Sequence, residues 1–267
     1  MGAIPDYETY RDRRERAAYQ VIQALASFAP TLSRPNSLFV ASGGSAPSTA
    51  AVPSRTIAGA IGQANPNSGK QRWVLKAGIY QQSPAVLTLC DRLSHQGGLS
   101  GTVTTAQTTN LPTAALTRNT DGIGVQMGLE IYTQIGATAT TVKASYTNEA
   151  ATAGQTTPLI AFGGTNNREN NRILPLPLQS GDEGVRSVES VTVTATTGTA
   201  GNFGVTLYRQ IAVFRLDGCH GWDADPALDL GMIPEIPTDA CLFWILSMPA
   251  FYSSTGGTMI EFGLDER

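Results

Sequence analysis

Charge is scarce in this chain of 267 residues. Charged residues make up 15% of the sequence, against about 25% in an average soluble protein. The net charge is −3, so no basic surface favours bulk binding to nucleic acid. A surface of low charge suits protein contacts, because the cores of protein interfaces are depleted in charge. We therefore expect a protein that associates with others, although a monomeric β-sandwich rich in Thr and Gly would have the same composition.

Cysteines and long apolar runs are also few. Cys90, Cys219 and Cys241 are widely spaced and form no CxxC motif, which indicates free thiols and synthesis in a reducing cytoplasm. The longest apolar runs, such as residues 240–246, fall far short of the ~20 residues of a membrane span. The acidic N-terminus has no apolar core of a secretory signal. We expect neither a disulfide framework nor a membrane contact.

Only two histidines are present, which limits acid–base chemistry. Ser94 precedes His95 and Cys219 precedes His220. Neighbouring side chains of a strand point to opposite faces, so neither pair can act as nucleophile and base. We therefore expect a protein without enzymatic activity, catalytic residues or a bound cofactor.

Two glycine-containing segments lack the spacing of phosphate-binding loops. In residues 65–70, NPNSGK, the first required glycine is replaced by Ala64, and Lys70 is followed by Gln71. Residues 163–167, GGTNN, are not placed between a strand and a helix. Both segments are typical of turns rather than of nucleotide binding.

An acidic cluster spans residues 217–229. Short loops rich in aspartate can bind Ca²⁺ through oxygen atoms, but the spacing differs from that of an EF-hand. The favoured interpretation is a polar connection without a metal, in which aspartates cap turns and Trp222 anchors the loop. The polar residues concerned are Asp217, His220, Asp223, Asp225 and Asp229.

Residues 1–30 are predicted to form an amphipathic helical segment, with the helix over residues 5–28. Pro5 suits the first turn of a helix and Pro30 ends the run. Larger or apolar residues recur every three or four positions and form one stripe. Acidic residues among the arginines disfavour a membrane-bound helix. We expect this stripe to pack on the protein itself or on a neighbour.

Residues 31–72 are rich in Pro, Gly and Ser and predict an extended arm. Such a loop is unusual inside a compact domain, so we expect it either to be disordered or to be ordered by neighbouring proteins. Deleting residues 1–70 should then leave a folded β domain that binds its partner weakly. The candidate partner contacts in the helix and arm are Tyr7, Tyr10, Val21, Leu25, Phe28, Leu38 and Phe39.

Residues 73–267 predict an all-β domain. Val, Thr and Ile dominate, and apolar residues alternate with polar ones. Strands without intervening helices indicate antiparallel pairing in a β-sandwich or jelly-roll-like domain. Glycine-rich residues 197–202 and residues 136–139 predict hairpin turns. The expected strands are 73–80, 85–93, 128–135, 140–147, 158–162, 172–178, 188–197, 203–209, 211–216, 240–247 and 258–263.

Four segments within residues 85–245 carry a resemblance to known proteins. They are LTLCDRLSHQGGLSGT (87–102), NLPTAALTR (110–118), EIYTQIGATATTVKASYTNE (130–149) and residues 190–209. These segments resemble a family of virion structural proteins of tailed phages and prophages. The resemblance implies a capsid decoration, or cement, protein on the head surface. Its partners would then be the major capsid protein and copies of itself in a homotrimer.

A tail or baseplate component with a receptor-binding role is the alternative function. It would also be rich in β-strands and trimeric, but it should bind host glycans or cells in isolation. A decoration protein should bind assembled heads only.

Overall fold

The computed structural model describes residues 8–9, 11–12, 19–25, 34–80, 84–111, 116–216, 222–224, 234–248 and 258–266. It consists almost entirely of antiparallel strands, which confirms the predicted all-β sandwich class. The strands are β1 (Tyr19–Leu25), β2 (Pro35–Ser37), β3 (Arg72–Tyr80), β4 (Ala85–Leu99), β5 (Gln107–Leu111), β6 (Val125–Thr133), β7 (Thr140–Asn148), β8 (Gln155–Thr156), β9 (Ile160–Phe162), β10 (Ile173–Leu176), β11 (Val185–Val193), β12 (Asn202–Leu216), β13 (Trp222–Ala224), β14 (Glu235–Ile236), β15 (Leu242–Ser247) and β16 (Thr258–Glu266). A one-turn helix, α1 (Leu38–Ala41), follows β2.

The predicted N-terminal helix over residues 5–28 is wrong for its second half. Residues 8–9 and 11–12 are helical, but Tyr19–Leu25 forms β1 and pairs with β16. The segment YQVIQAL contains two β-branched residues, and a long-range partner strand overrides its weak helical periodicity. None of the helices in the described ranges is long and apolar enough to cross a membrane.

Three sheets build the fold. The central sheet has the order β10-β6-β12-β4-β15-β2. A second sheet contains β5, β11, β7, β8 and β9, and a third contains β1, β16, β3, β13 and β14. The second sheet packs on the central sheet around Leu93, Val205 and Val191. The third covers the other half of the same face around Leu89 and Phe214.

The strands β4 and β12 are each 15 residues long and run through both halves of the sandwich. A β-bulge at Ile211 inserts one extra residue in β12. A one-residue shift moves every following side chain to the other face of a sheet. Tyr208 therefore faces one side of the sheet, while Ala212 and Phe214 face the other.

The central sheet curls until its two edges meet. Asn36 in β2 forms a bridge with Arg172, the residue before β10, and the Ser37 N–H donates to the Asn171 carbonyl at 2.7 Å. The face turned away from the two outer sheets is thus enclosed. Its apolar filling, here called the barrel core, comprises Phe39, Cys90, Ile173, Tyr208, Cys241, Phe243 and Ile245.

Residues 34–64, here called the covering segment, pack on the central sheet, which corrects the predicted free arm. Beyond Asp91, the edge of β4 is no longer paired with β15. Ala51 pairs there with His95 through two backbone hydrogen bonds of 3.0 Å, and Gly97 N–H donates to the Pro47 carbonyl. The prolines exclude a long helix or a long strand but still allow short elements and single bridges of this kind. The covering segment is part of the domain.

Most predicted strands are present, with shifted ends. The strands predicted at 203–209 and 211–216 form the single strand β12, and the bulge accounts for the break in their pattern. The predicted hairpins at 136–139 and 197–202 are wrong. Each of these turns joins a strand of the central sheet to a strand of the second sheet, so the flanking strands do not pair. A glycine-rich turn alone does not specify whether its strands share a sheet.

Candidate functional site

The most polar part of the interior lies at the middle of β4. Asp91 and Arg92 are adjacent in this strand, so their side chains leave on opposite faces. Arg92 points into the barrel core, and Asp91 points to the face covered by the outer sheets. Both residues are buried.

Arg92 forms a bidentate ion pair with Glu130 of β6. Nη1 donates to Oε2 at 2.6 Å and Nη2 donates to Oε1 at 2.8 Å. Both side chains are 0% exposed. The hydroxyls of Thr206 and Tyr132 also donate to Glu130 Oε2, each at 2.8 Å. Mutual pairing of this kind is what allows two charges to remain inside a protein.

Two aromatic rings contact the guanidinium of Arg92. Its central carbon lies 3.8 Å from the centre of the Phe39 ring and 4.5 Å from that of Phe243, and the two rings stand at 81° to each other. A guanidinium over an aromatic ring gains cation–π attraction, which is stronger away from water. Phe39 comes from α1 and Phe243 from β15. The ion pair thus connects the covering segment to the central sheet.

His95 lies at the end of this cluster and is uncharged. Its Nδ1 is 3.4 Å from Arg92 Nη1. Because a guanidinium can only donate, Nδ1 accepts and the proton is on Nε2. Burial and the charge of Arg92 lower the pKa of His95 to about 3. For Glu130, burial opposes ionisation, but Arg92 outweighs it and lowers the pKa to about 2.

A second ion pair lies on the outer face of β4. Arg118 Nε donates to Asp91 Oδ2 at 2.8 Å, and Nη2 donates to Oδ1 at 3.0 Å. Arg118 Nη2 also donates to the carbonyls of Pro53 and Arg92, and the Cys241 N–H donates to Asp91 Oδ1. Four separate parts of the chain therefore meet at one carboxylate. Burial raises the pKa of Asp91, and Arg118 opposes this rise.

Cys90 and Cys241 are buried free thiols of the barrel core. Burial raises the pKa of Cys90 strongly and raises that of Cys241 to about 12. A thiolate is the reactive form of cysteine, so neither residue is suited to be a nucleophile. Cys219 lies outside the described residues.

A cleft of about 770 Å³, here called the waist cleft, opens where the two outer sheets leave the central sheet uncovered. Arg118 and Arg209 line its floor beside Asp91, and Trp73 and Glu235 line the opposite wall. Arg118 is 11% exposed on its side chain, and Arg209 is exposed. The charged and aromatic side chains that line this cleft are the most accessible ones around the ion pairs.

The predicted contact residues do not form one surface. Leu38 and Phe39 are both 0% exposed and belong to the core, so neither is available to a partner in this fold. Val21 and Leu25 lie on β1. Tyr7, Tyr10 and Phe28 lie outside the described residues.

No group of three or more potential metal ligands comes together among the residues that the structure describes. Of the acidic cluster at residues 217–229, only Trp222–Ala224 is described, as strand β13 paired with β3. The prediction of a metal-free loop there lies largely outside the described residues.

The sequence interpretation missed Arg92, Glu130 and Arg118. A signal was present: Glu130 stands between Leu129 and Ile131 in an otherwise apolar strand, and Asp91 and Arg92 occupy both faces of another. An ionisable residue inside such a strand requires a buried partner. Without the fold, however, the sequence does not identify which residue is that partner.

The ion pairs are arranged for stability rather than for chemistry. Arg92 and Glu130 bind each other, and water does not reach either side chain. Acid–base catalysis requires a group that can reach a substrate, and this cluster is enclosed. No protein-family model, curated protein or solved structure matches the chain.

Proposed function

We propose that this protein is a non-enzymatic structural component of a virion, a decoration protein that binds and stabilises a phage capsid shell. The observation that carries the proposal is the outer face of the second sheet. β7 and β11 present mainly hydroxyl side chains there, with three charged ones. The residues concerned are Thr141, Lys143, Ser145, Thr147, Arg186, Ser187, Glu189, Ser190 and Thr192, together with Thr194 just after β11.

This face suits tight packing against another protein. Its hydroxyls bond one another: Thr194 Oγ1 lies 3.1 Å from Thr140 Oγ1 and 2.8 Å from Thr141 Oγ1. Side chains that are already ordered lose little entropy on binding, and few charges must be stripped of water. Leu159 and Ile123 are exposed elsewhere on the surface of the protein and offer further apolar area for contact with a partner.

The virion assignment rests on the resemblance of residues 85–245 to phage structural proteins. The major capsid protein as partner, a homotrimer and a position on the capsid surface all follow from that resemblance. The enclosed ion pairs support the proposed role in stabilising the shell, because they fix the covering segment and three strands at one point. A shell protein must resist distortion rather than change shape.

The test is binding of the purified full-length protein to assembled heads that lack it. We expect it to sediment with assembled heads but not with unassembled capsid subunits, and to be trimeric by analytical ultracentrifugation. Binding to host cells or glycans, without binding to heads, would instead establish a tail or baseplate protein.

A matched pair of variants tests the hydroxyl face. Ser190 lies in the middle of the second sheet, beside Ser145 of β7 and Thr108 of β5. Ser190→Arg should weaken binding to heads at least tenfold. Thr104→Arg, in an exposed loop, introduces the same side chain elsewhere and should bind like the wild type. Equal binding of both variants would remove this face from the interface.

A further inference from the structure

The waist cleft contains a cation without a counter-charge of its own. Arg209 of β12 is exposed and forms no hydrogen bond or ion pair with any described residue. It is paired in register with Asp91, whose carboxylate is already bound on both oxygens by Arg118. One aspartate thus stands between two arginines, and the floor of the cleft keeps one positive charge.

Arg118 adds a second donor to the same floor. Its Nε and Nη2 are used by Asp91 and by backbone carbonyls, while Nη1 forms no hydrogen bond within the described part of the chain. A guanidinium group is shaped to bind a carboxylate through two parallel hydrogen bonds. Low-dielectric walls on both sides of a cleft strengthen the field of such a charge.

We propose that the waist cleft binds a glutamate or aspartate side chain on an extended segment of the partner protein, with Arg209 as its ion-pair partner. This inference rests on the proposed function of binding to a capsid shell. At about 770 Å³ the cleft is larger than one carboxylate side chain and lies within the range of ~300–1,000 Å³ typical of ligand sites. Thr117, Asn119, Gln210 and Thr238 line it and offer hydrogen bonds to peptide groups.

The opposite wall sets the specificity. Glu235 is exposed there, so a run of acidic residues is repelled from the cleft. The indole of Trp73, on the same wall, favours an apolar or planar neighbour. The segment that fits is therefore a single acidic residue flanked by neutral ones. β12 is already paired with β4 and β6, so the segment binds through side chains rather than as an added strand.

The first experiment measures binding of the full-length protein to assembled heads. Arg209→Gln should lower the affinity at least tenfold, Arg209→Lys should lower it less, and Glu235→Gln should raise it. Arg215→Gln is the matched control, because Arg215 is an exposed arginine of the same strand. It should stay within twofold of the wild type. Equal affinities of the Arg209→Gln and wild-type proteins would overturn the inference.

The second experiment uses a small probe and needs no particle. The peptide acetyl-Gly-Glu-Gly-amide is titrated into the protein and followed by NMR. Chemical-shift changes should centre on residues of the waist cleft and should be lost in Arg209→Gln, and acetyl-Gly-Gln-Gly-amide should cause none. Equal shifts with the neutral peptide would overturn the inference.

The two experiments separate the cleft from the proposed function. If the wild type binds heads and Arg209→Gln binds equally well, the cleft proposal falls and the function stands. If the wild type ignores heads but binds the acidic peptide through Arg209, the function falls and the cleft stands. Loss of trimerisation in Arg209→Gln would show that the occupant is a second copy of this chain, which would overturn a shell protein as partner. The unfolding temperature of Arg209→Gln should stay close to that of the wild type, since Arg209 hydrogen-bonds no described residue and its attraction to Asp91 is weaker than that of Arg118.

Discussion

Arg92 and Glu130 form a bidentate ion pair inside the curled central sheet, with the guanidinium in contact with the rings of Phe39 and Phe243. Neither side chain is exposed. An ion pair in such a place is stable only as a complete unit, because each charge alone would remain buried without compensation. This relationship makes the fold sensitive to single changes at either residue.

Glu130→Gln should destabilise the protein by about 3–5 kcal/mol, because it leaves the charge of Arg92 buried and unpaired. Chemical denaturation followed by tryptophan fluorescence measures the free energy of unfolding. The control is Asp239→Asn, which removes the exposed ion pair between Asp239 and Arg55. An exposed pair contributes at most about 1 kcal/mol. Similar losses of unfolding free energy for the two variants would show that the buried ion pair stabilises the fold no more than an exposed one.

Stability should fall as the solution is acidified below pH 6.5. The folded pKa of His95 is about 3, below its usual 6.5, so the unfolded state binds a proton first in this window. The slope reaches about 1.4 kcal/mol per pH unit for one such group. Glu130 adds a loss between its usual pKa of 4.5 and about 2, because its ionised form is stabilised by folding.

His95→Gln separates these two contributions. The variant cannot take up a proton at this position, so the contribution of His95 between pH 6.5 and about 3 should disappear, while that of Glu130 between pH 4.5 and about 2 remains. Urea denaturation at a series of pH values measures both. An unchanged slope above pH 4.5 would mean that His95 is not the group that titrates.

The strands were predictable from the sequence, but their assignment to sheets was not. Alternation and β-branched residues locate β4, β7 and β12 because a pleated strand exposes its faces in turn. Bulges in β11 and β12 break the period, so faces read from simple alternation are wrong after each one. In β11, Val188 and Val191 both face the core, although simple alternation places them on opposite sides.

The ion pairs and the waist cleft depend on contacts distant in sequence. Arg92 and Glu130 are separated by 38 residues, and Arg118 and Asp91 by 27. Nothing local selects these partners. The prolines of the covering segment correctly excluded a long helix, but composition does not reveal which neighbouring strand edge a segment pairs with.

Gly59 tests the packing of the covering segment on itself, where it contacts Phe39 and Gly44. A Cβ at Gly59 would lie 2.5 Å from the Phe39 carbonyl oxygen and from Gly44 Cα, and its φ is +87°. Gly69 has a similar φ of +77° but open space around it. Gly59→Ala should cost about 2–5 kcal/mol from overpacking and backbone strain together, and Gly69→Ala about 1–2 kcal/mol from strain alone. Thermal and urea denaturation compare the two variants, and equal losses of unfolding free energy would indicate that Gly59 does not pack against Phe39 and Gly44.

Deletion of residues 1–72 should abolish the folded domain rather than leave it intact. The deletion removes β2, which connects the two edges of the central sheet, together with the core residues Leu38, Phe39 and Ile61. Losing one large apolar core side chain alone costs about 2–5 kcal/mol, and a typical domain has only about 5–15 kcal/mol in total. Circular dichroism and amide dispersion in NMR measure the outcome. If fragment 73–267 unfolds cooperatively and gives fully dispersed amide signals, the covering segment is a separate arm.

The thiols of the barrel core report on opening of the covering segment. Cys90 and Cys241 lie in the cluster that Phe39 completes, and Ile57 and Ala60 pack against that cluster. In a Cys219→Ser background, both thiols should resist a disulfide-exchange reagent until the protein opens, because burial keeps them protonated. Adding Gly59→Ala should accelerate labelling more than adding Gly69→Ala, since only the former disrupts the packing of the covering segment around the Phe39 backbone. Rapid labelling without either glycine change would place the thiols outside a closed core.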